Sequence, residues 1–184
     1  MTNQVRKDAG LWAQVCAGLV ERLKGEVHFW LHVDTAMRHW SYDALVADFA
    51  LGEYVTITNP PCDDQWLAGQ YRECALTFLP SSGEGFGYPL FESVACGTPV
   101  VHGDYAGGAS LMATCGLGPW LVPPREWRLE GVHNCVRPVY NAGDWVEIIL
   151  AVLEQKQRVA DGAVDHLAWS RLGHVWKRWL REGL

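Results

Sequence analysis

Residues 75–102, ALTFLPSSGEGFGYPLFESVACGTPVVH, contain two short apolar runs separated by a glycine-rich turn and a helical segment. ALTFL and TPVVH have the length and composition of buried strands. PLFESVACG has apolar residues at helical spacing and ends at a glycine. Pro89 suits the first turn of such a helix, because its missing N–H would be unpaired there anyway. We therefore predict a strand, a loop, a helix and a second strand.

The same alternation continues towards the N-terminus. DAGLWAQVCAGLVERLK precedes the strand-like VHFWLHV, YDALVADFAL precedes YVTIT, and DDQWLAGQYREC precedes ALTFLP. Short buried strands joined by helices indicate a parallel sheet covered on both faces, since parallel strands need crossover connections. The predicted fold class is α/β, a Rossmann-like doubly wound parallel sheet.

The pattern changes after Gly107 and Gly108. Residues 116–138 are rich in Gly and Pro, and we predict an irregular connection with at most two short strands. Two helices are predicted to close the chain, at about 141–159 and about 164–181. The second has a broad apolar stripe that needs a partner surface. This stripe comprises Trp169, Leu172, Trp176, Trp179 and Leu180.

Composition limits the classes of function. The 184 residues are 49% hydrophobic and 20% charged, which is typical of one globular domain. The net charge is −6, and nine of the fifteen Lys and Arg residues lie at or after Arg125, so we expect no nucleic-acid partner. The six cysteines form no C-x-x-C pair and are interpreted as small buried hydrophobes in a reducing compartment. With no apolar run that resembles a signal peptide or a membrane span, the predicted location is cytoplasmic.

The glycine-rich turn is the candidate site, because ligands bind at the carboxyl ends of strands in open α/β sheets. Gly85 and Gly87 permit close approach of the backbone to a ligand, and the start of the next helix favours an anion such as phosphate. Glu84 in the loop and Glu92 one turn into the helix can face the same cleft and accept hydrogen bonds from vicinal hydroxyls. Phosphate and hydroxyl recognition together indicate a sugar nucleotide. The alternative is a solvated loop acid and an acid favoured by the helix dipole.

The stretch YRECALTFLPSSGEGFGYPLFESVACGTPVV resembles the E-x(7)-E region of the retaining group 1 (family 4) glycosyltransferases, which have the GT-B fold. RKD near the start, YVTITNPPCDDQWLAGQY and HLAWSRLGHVW are similar to the family more loosely. The resemblance implies that residues 1–184 form one donor-binding domain, the C-terminal half of a hexosyltransferase whose N-terminal acceptor domain is absent. Such a half is expected to be inactive in isolation.

The resemblance also implies roles for single residues. Glu84 matches the first Glu of the family motif, which lies by the transferred sugar and helps stabilise positive charge at the anomeric carbon. Glu92 matches the second, which binds the ribose hydroxyls. Lys7, with Arg6 beside it, matches the lysine that neutralises the leaving diphosphate. The other implied donor contacts are Gly85, Phe86, Gly87 and Tyr88 for the sugar, the Leu90 N–H for the diphosphate, and Thr58 and Asn59 for the nucleobase.

No metal or cofactor is expected beyond the substrate nucleotide-diphospho-sugar, because these enzymes use none and the chain has no D-x-D motif. Two features depart from the family pattern: its first strand, with a Gly-Arg pair, has no counterpart, and Leu111 replaces the acid of its Gly-Gly-x-x-Glu turn.

Several alternatives for function and partners stay open. The chain could be a non-catalytic sugar-nucleotide-binding or interaction module descended from such an enzyme, or another nucleotide-binding α/β domain, although it lacks a G-x-G-x-x-G turn. The expected partners are a nucleotide sugar and a sugar or lipid acceptor. The terminal helices are expected to contact an N-terminal GT-B domain or a second copy, and the complete enzyme could lie peripheral to a membrane.

Overall fold

The computed structural model describes residues 3–34, 36, 39–59, 61–130 and 134–182. Within these residues, parallel strands alternate with helices, which confirms the predicted α/β class. The parallel strands are β1 (Phe29–His32), β2 (Val55–Thr58), β3 (Thr77–Leu79), β4 (Val100–Gly103) and β5 (Leu121–Val122). The helices are α1 (Ala9–Arg22), α2 (Tyr42–Asp48), α3 (Asp64–Glu73), α4 (Tyr88–Ala95), α5 (Ala106–Thr114), α6 (Ala142–Gln155) and α7 (Trp169–Glu182).

The parallel strands form two sections. β1 pairs with β2, with His32 opposite Thr58, and β3, β4 and β5 pair in that order, with His102 opposite Leu121. All of these pairs are parallel, as the crossover helices require. A cavity of about 720 Å³ is lined by residues of both β1 and β3. The expected sheet is therefore present, over the described residues, as two parallel sections beside a cavity.

The core lies between the strands and the helices that cover them. Trp145 and Ile149 of α6 and Leu19 of α1 are buried, as are the valines of β4. Gly18 of α1 lies against Val146 of α6, where an added Cβ would be 2.9 Å from the valine Cγ2, so the glycine lets the two helices approach closely. Helix α6 packs against β4, which pairs with β3, and the candidate site follows the carboxyl end of β3.

The segment predicted to be an irregular connection contains more regular structure than expected. Besides β5, it includes an antiparallel hairpin of β6 (Glu126–Glu130) and β7 (Cys135–Val139). The prediction of at most two short strands is therefore wrong. Every residue of β6 is exposed, and the alternation of Trp127 and Leu129 with charged residues is a strand pattern that the interpretation of the segment as irregular overlooked.

The cysteines also differ from expectation. Only Cys16 is buried, Cys62 is exposed and the other four are partly exposed, and within the described residues none of the six forms a disulfide. Cys74, Cys96 and Cys115 directly follow the last residues of α3, α4 and α5. Helix ends lie near the surface, which explains why these thiols are not core residues.

Candidate functional site

The glycine-rich turn follows β3 and leads directly into α4. Gly87 precedes the helix with a φ of 81°, a left-handed conformation that favours glycine, and an added Cβ would lie 2.8 Å from Leu90 Cδ1. At Gly83, an added Cβ would collide with the guanidinium of Arg137 and would lie 3.3 Å from Arg6 Cδ. Glycine at these two positions therefore allows the turn to pack closely on its neighbours.

A short 3₁₀ turn at Val5–Lys7, just before α1, holds the glycine-rich turn in place. The Arg6 carbonyl oxygen accepts a hydrogen bond from the Ser82 amide at 2.8 Å and lies 3.0 Å from the Ser81 hydroxyl. The Arg6 guanidinium donates to the Gly83 carbonyl oxygen. These bonds join two segments that are far apart in the sequence, so the geometry of the turn depends on the tertiary fold.

Glu84 points into this junction. Its carboxylate contacts the ammonium group of Lys7 and lies 3.3 Å from Arg6 Nη1 and 3.0 Å from the Ser81 hydroxyl. Ser81 has one hydroxyl proton, so it donates either to Glu84 or to the Arg6 carbonyl. The side chains of Lys7 and Glu84 are only 8% and 11% exposed. The structure therefore brings Arg6, Lys7 and Glu84 into one largely buried cluster.

The cluster keeps Glu84 ionised. Burial alone would raise the pKa of Glu84, but the hydrogen bond and charge of Lys7, the charge of Arg6 and the Ser81 hydroxyl together lower it below its ordinary value. A carboxylate that is negative at neutral pH accepts hydrogen bonds from hydroxyl groups and stabilises nearby positive charge. Because these intramolecular partners already contact the acid, a ligand must share or displace them.

Glu92 lies one turn into α4 and lines the cavity beside β1 and β3. Its Oε2 accepts a hydrogen bond from the Tyr71 hydroxyl, near the end of α3, at 3.0 Å. Burial raises the pKa of Tyr71, and the neighbouring Glu92 carboxylate raises it further, so this hydroxyl stays protonated as a donor. Lys7 lines the same cavity and also contacts Glu84. The buried cluster and the Glu92 carboxylate therefore adjoin one cavity.

Thr58, a predicted nucleobase contact, ends β2 within an aromatic cluster. Its hydroxyl oxygen lies 2.9 Å from both Trp30 Nε1 and His32 Nδ1. Trp66 packs against both rings, with centroid distances of 5.7 and 5.6 Å. Asn59 follows at an exposed position. The hydroxyl of Thr58 is thus engaged within the protein, and the nucleobase role of both residues stays a prediction.

The other predicted contacts surround the start of α4. Phe86 and Tyr88 are exposed, and their ring centroids are 5.2 Å apart. Gly85 has room for a side chain among the described residues. Leu90 is fully buried, and its amide donates to the Gly87 carbonyl oxygen at 2.9 Å. Contact between this amide and a diphosphate would therefore require a shared hydrogen bond.

Sequence reasoning missed four residues of the site. Arg137 on β7 donates to the Ser82 carbonyl oxygen at 3.3 Å and pairs with Glu130 at 2.5 Å. Nothing in the sequence around Arg137 indicates this contact, and Arg137 lies in a segment that was expected to be irregular. The signal for Ser81, Ser82 and Tyr71 was available, since all three lie in the stretch that resembles the family.

His102 is a buried titratable group beside the site. Its Nδ1 lies 3.3 Å from the Leu79 carbonyl oxygen, while its Nε2 has no hydrogen-bond partner among the described residues. Burial lowers the pKa of His102, so the imidazole is neutral at physiological pH. Leu111, where the family pattern has an acid, packs against the core. Within the described ranges, no three His, Cys, Asp or Glu residues group closely enough to hold a metal ion.

Comparison with known proteins assigns the family. The family model described as "Glycosyl transferases group 1" matches residues 3–154. The chain belongs to this family. D-inositol 3-phosphate glycosyltransferase 1 of Catenulispora acidiphila is 34% identical to this group 1 glycosyltransferase chain over 132 residues, which cover 68% of the chain and 28% of that relative. The chain thus spans little more than a quarter of the length of this curated relative.

Two solved structures share the fold of this group 1 glycosyltransferase chain. The C-terminal domain of a group 1 family protein (LpcC) from Francisella tularensis matches with a TM-score of 0.62 and 13% identity, over 89% of this chain and 79% of that one. A chain of the GtfA/B complex matches with a TM-score of 0.73 and 18% identity, over 99% of this chain and 35% of that one. The predicted resemblance to the C-terminal domain of a GT-B glycosyltransferase is confirmed.

Proposed function

We propose that residues 1–184 form the domain that binds a nucleotide-diphospho-sugar, and that this domain serves a retaining transfer of a hexose to a sugar or lipid acceptor. The observation that carries the proposal is the buried cluster of Arg6, Lys7 and Glu84, which joins the start of α1 to the turn before α4. Two cations and one carboxylate at a strand end suit a ligand with both anionic and hydroxyl groups.

The proposed roles follow the charges that change during transfer. The bond between the anomeric carbon and the diphosphate oxygen breaks, and its electron pair moves to the diphosphate. Lys7 and Arg6 stabilise the negative charge that collects there, while Glu84 lies by the sugar and stabilises positive charge at the anomeric carbon. The acceptor hydroxyl forms the new bond to that carbon, and its proton leaves with the diphosphate. Glu92 holds the ribose hydroxyls, and the Tyr71 hydroxyl fixes the orientation of its carboxylate.

Calorimetric titration with UDP, GDP and ADP, and then with a sugar derivative of the tightest binder, tests these roles. Glu92→Ala removes two charge-assisted hydrogen bonds of about 1.5 to 3 kcal/mol each, so affinity for the nucleoside diphosphate should fall at least about 100-fold. Glu84→Ala should not lower that affinity, because it frees Lys7 and Arg6 from their ion pairs with the carboxylate, and should reduce only the additional affinity of the sugar nucleotide. Glu154→Ala, at an exposed position on α6, is the control.

Two results would contradict the proposed roles. Equal losses from Glu92→Ala and Glu84→Ala would show that the two acids do not divide ribose and sugar between them. Failure of the unmodified chain to bind any of the three nucleoside diphosphates, or their sugar derivatives, would contradict the proposal that this domain binds a donor.

The chain alone is expected to show no sugar transfer. The family builds its active site between two domains, and positioning of two reactants contributes about 7 to 11 kcal/mol of barrier reduction. Incubation of the chain with a sugar nucleotide and a panel of sugar and lipid acceptors checks this expectation. Multiple turnovers by the chain would contradict it.

A non-catalytic binding module is the second candidate function. The observation that favours it is Leu111, which packs against the core where the family pattern has an acid. A module of this kind would bind the sugar nucleotide but would stay inactive after Leu111→Glu and after addition of an acceptor-binding GT-B domain. Transfer in that reconstituted mixture would favour the enzyme.

A further inference from the structure

Arg137 is a cation of the site to which the proposed roles give no function. It lies on β7, in the hairpin that follows the parallel strands, and its Nη1 donates to the Ser82 carbonyl oxygen at 3.3 Å. An added Cβ at Gly83 would collide with this same nitrogen and would lie 3.3 Å from Arg6 Cδ. The side chains of Arg6 and Arg137 therefore reach the glycine-rich turn at the same glycine.

The guanidinium of Arg137 is held in place but is not enclosed. Its Nε pairs with a carboxylate oxygen of Glu130 on β6 at 2.5 Å, and the Arg137 side chain is 24% exposed. A guanidinium has five N–H donors, and the contacts with Glu130 and Ser82 use Nε and Nη1. Arg137 can therefore offer further donors to a ligand that reaches the turn.

The charges around the turn favour an anionic ligand. Arg6, Lys7 and Arg137 carry three positive charges, against the two carboxylates of Glu84 and Glu130. Glu84 belongs to the buried cluster, whereas the Glu130 side chain is 46% exposed, and ion pairs with exposed partners are weak. An anion can thus replace Glu130 on Arg137 more readily than it can replace Glu84 on Lys7.

A buried hydroxyl shows that the two arginine charges converge on one place. Burial raises the pKa of Tyr105 to about 12, and the positive charges of Arg6 and Arg137 act on it in the opposite direction. Tyr105 directly precedes α5 and is only 6% exposed. Both guanidinium groups therefore lie close enough to act on one group beside the turn.

We propose that Arg137 binds the diphosphate of the donor together with Arg6 and Lys7, an inference that rests on donor binding by this domain. When the donor binds, Arg137 exchanges Glu130 for phosphate oxygens, which its planar fork can contact in bidentate geometry. The phosphate that carries the sugar is the one at Arg137, because the same turn holds Glu84, the residue assigned to the sugar. The contact also stabilises the negative charge that collects on the diphosphate during transfer.

Calorimetric titration with matched nucleoside mono- and diphosphates tests the proposal. With whichever of UDP, GDP and ADP binds most tightly, Arg137→Gln should lower affinity about 10-fold, because a charge-assisted contact is lost. Affinity for the corresponding monophosphate should change less than about twofold, because that ligand lacks the phosphate at Arg137. Arg128→Gln is the matched control and should bind both ligands as the unmodified chain does. Arg128 lies directly opposite Arg137 in the hairpin, and its side chain is 65% exposed.

Two further variants distinguish ligand contact from a structural role of Arg137. Glu130→Gln removes the acid that competes for the guanidinium, so affinity for the diphosphate should rise about two- to fivefold. Arg137→Lys keeps the charge but loses the planar fork, and it should recover part of the affinity lost in Arg137→Gln. If Arg137 only supported the turn, Glu130→Gln would not raise affinity, and monophosphate and diphosphate binding would fall together. Unchanged monophosphate affinity shows that each variant keeps the folded site.

Three results would overturn the proposal. They are equal diphosphate affinities of Arg137→Gln and Arg128→Gln, equal losses of mono- and diphosphate affinity in Arg137→Gln, and no gain in affinity from Glu130→Gln. Failure of the proposed function itself gives a different result, because the unmodified chain then binds none of the three diphosphates and the role of Arg137 is lost with it. Tight binding by the unmodified chain that Arg137→Gln leaves intact would exclude Arg137 alone and leave donor binding standing.

Discussion

The glycine-rich turn and helix α7 are both short, strongly patterned stretches, but they are attached to the molecule in opposite ways. The turn at 81–87 is held by backbone hydrogen bonds, by the buried contacts of Glu84 and by Arg137 from a distant hairpin. In α7 no residue is buried.

This difference separates a preorganised site from an adaptable surface. The turn can keep its shape without a ligand, because the fold itself satisfies its polar groups. An isolated helix of 14 residues is only marginally stable in water, so α7 depends on a partner or on local propensity. Substitutions in the two regions should therefore have very different effects on stability.

The largest expected effect is at Lys7. Lys7→Met leaves the Glu84 carboxylate largely buried with one of its two cations removed, and loss of one partner of a buried ion pair costs about 3 kcal/mol. We expect a decrease of this size in the free energy of unfolding, measured in urea at pH 7.

The chain offers a matched control for this substitution. Arg22 and Glu147 also form an ion pair, but their side chains are 51% and 63% exposed. Arg22→Met should therefore leave stability nearly unchanged. A similar decrease in the free energy of unfolding for Lys7→Met and Arg22→Met would show that burial of the cluster contributes little to stability. The turn would then be held no more tightly than the surface.

The second prediction concerns acid unfolding. The pKa of His102 is lowered in the folded chain, so its contribution to stability is present above its ordinary value of 6.5 and is lost as pH falls below it. The pKa of Glu84 is also lowered, and its contribution is present above its ordinary value of 4.5 and is lost as pH falls through the folded value. Stability should therefore fall in two separate ranges of pH.

Urea titrations at a series of pH values between 7 and 3 separate these two ranges. His102→Leu should flatten the dependence between about pH 7 and 5, and Glu84→Gln should flatten it below about pH 4.5. His166→Leu, at an exposed position, is the control for the histidine. If Glu84→Gln changed only the upper range, the assignment of the lower range to the cluster would be wrong.

The same comparison explains what the sequence could predict. ALTFLP and TPVVH were recognisable as strands because they are continuous apolar runs, and they form β3 and β4. The segment that contains β6 and β7 was expected to hold at most two short strands, and their pairing into a hairpin was not predicted although EWRLE in β6 alternates charged and apolar residues. Arg6, Lys7 and Glu84 were named through the family resemblance, but the contact of Lys7 with Glu84 joins positions 77 apart and depends on the whole fold. No sequence pattern or motif predicted the contact of Arg137 with the glycine-rich turn.

A smaller effect is expected at Tyr71. Tyr71→Phe removes the hydroxyl that orients Glu92 but keeps the ring and the carboxylate. Because this hydroxyl acts on the ligand only through Glu92, affinity for the nucleoside diphosphate should fall about 5- to 30-fold, equivalent to about 1 to 2 kcal/mol and less than for Glu92→Ala. Calorimetry measures this difference, and Tyr54→Phe, at the residue directly before β2, is a suitable control. A loss as large as that from Glu92→Ala would indicate that Tyr71 contacts the ligand itself.

The smallest effect on stability is expected in α7. If Trp176 and Trp179 belonged to the core, their replacement would lower the free energy of unfolding strongly, because replacement of a buried tryptophan by a small residue costs about 3 to 5 kcal/mol. Both side chains are instead about half exposed on a helix with no buried residue, so Trp176→Ser/Trp179→Ser should change the free energy of unfolding by less than about 0.5 kcal/mol. Trp145→Ser, at a fully buried position on α6, provides the contrast within the same chain. Urea unfolding of the two variants compares the regions directly. A decrease of more than about 2 kcal/mol in the free energy of unfolding of Trp176→Ser/Trp179→Ser would place α7 in the core, and the helix could then not be treated as a docking surface.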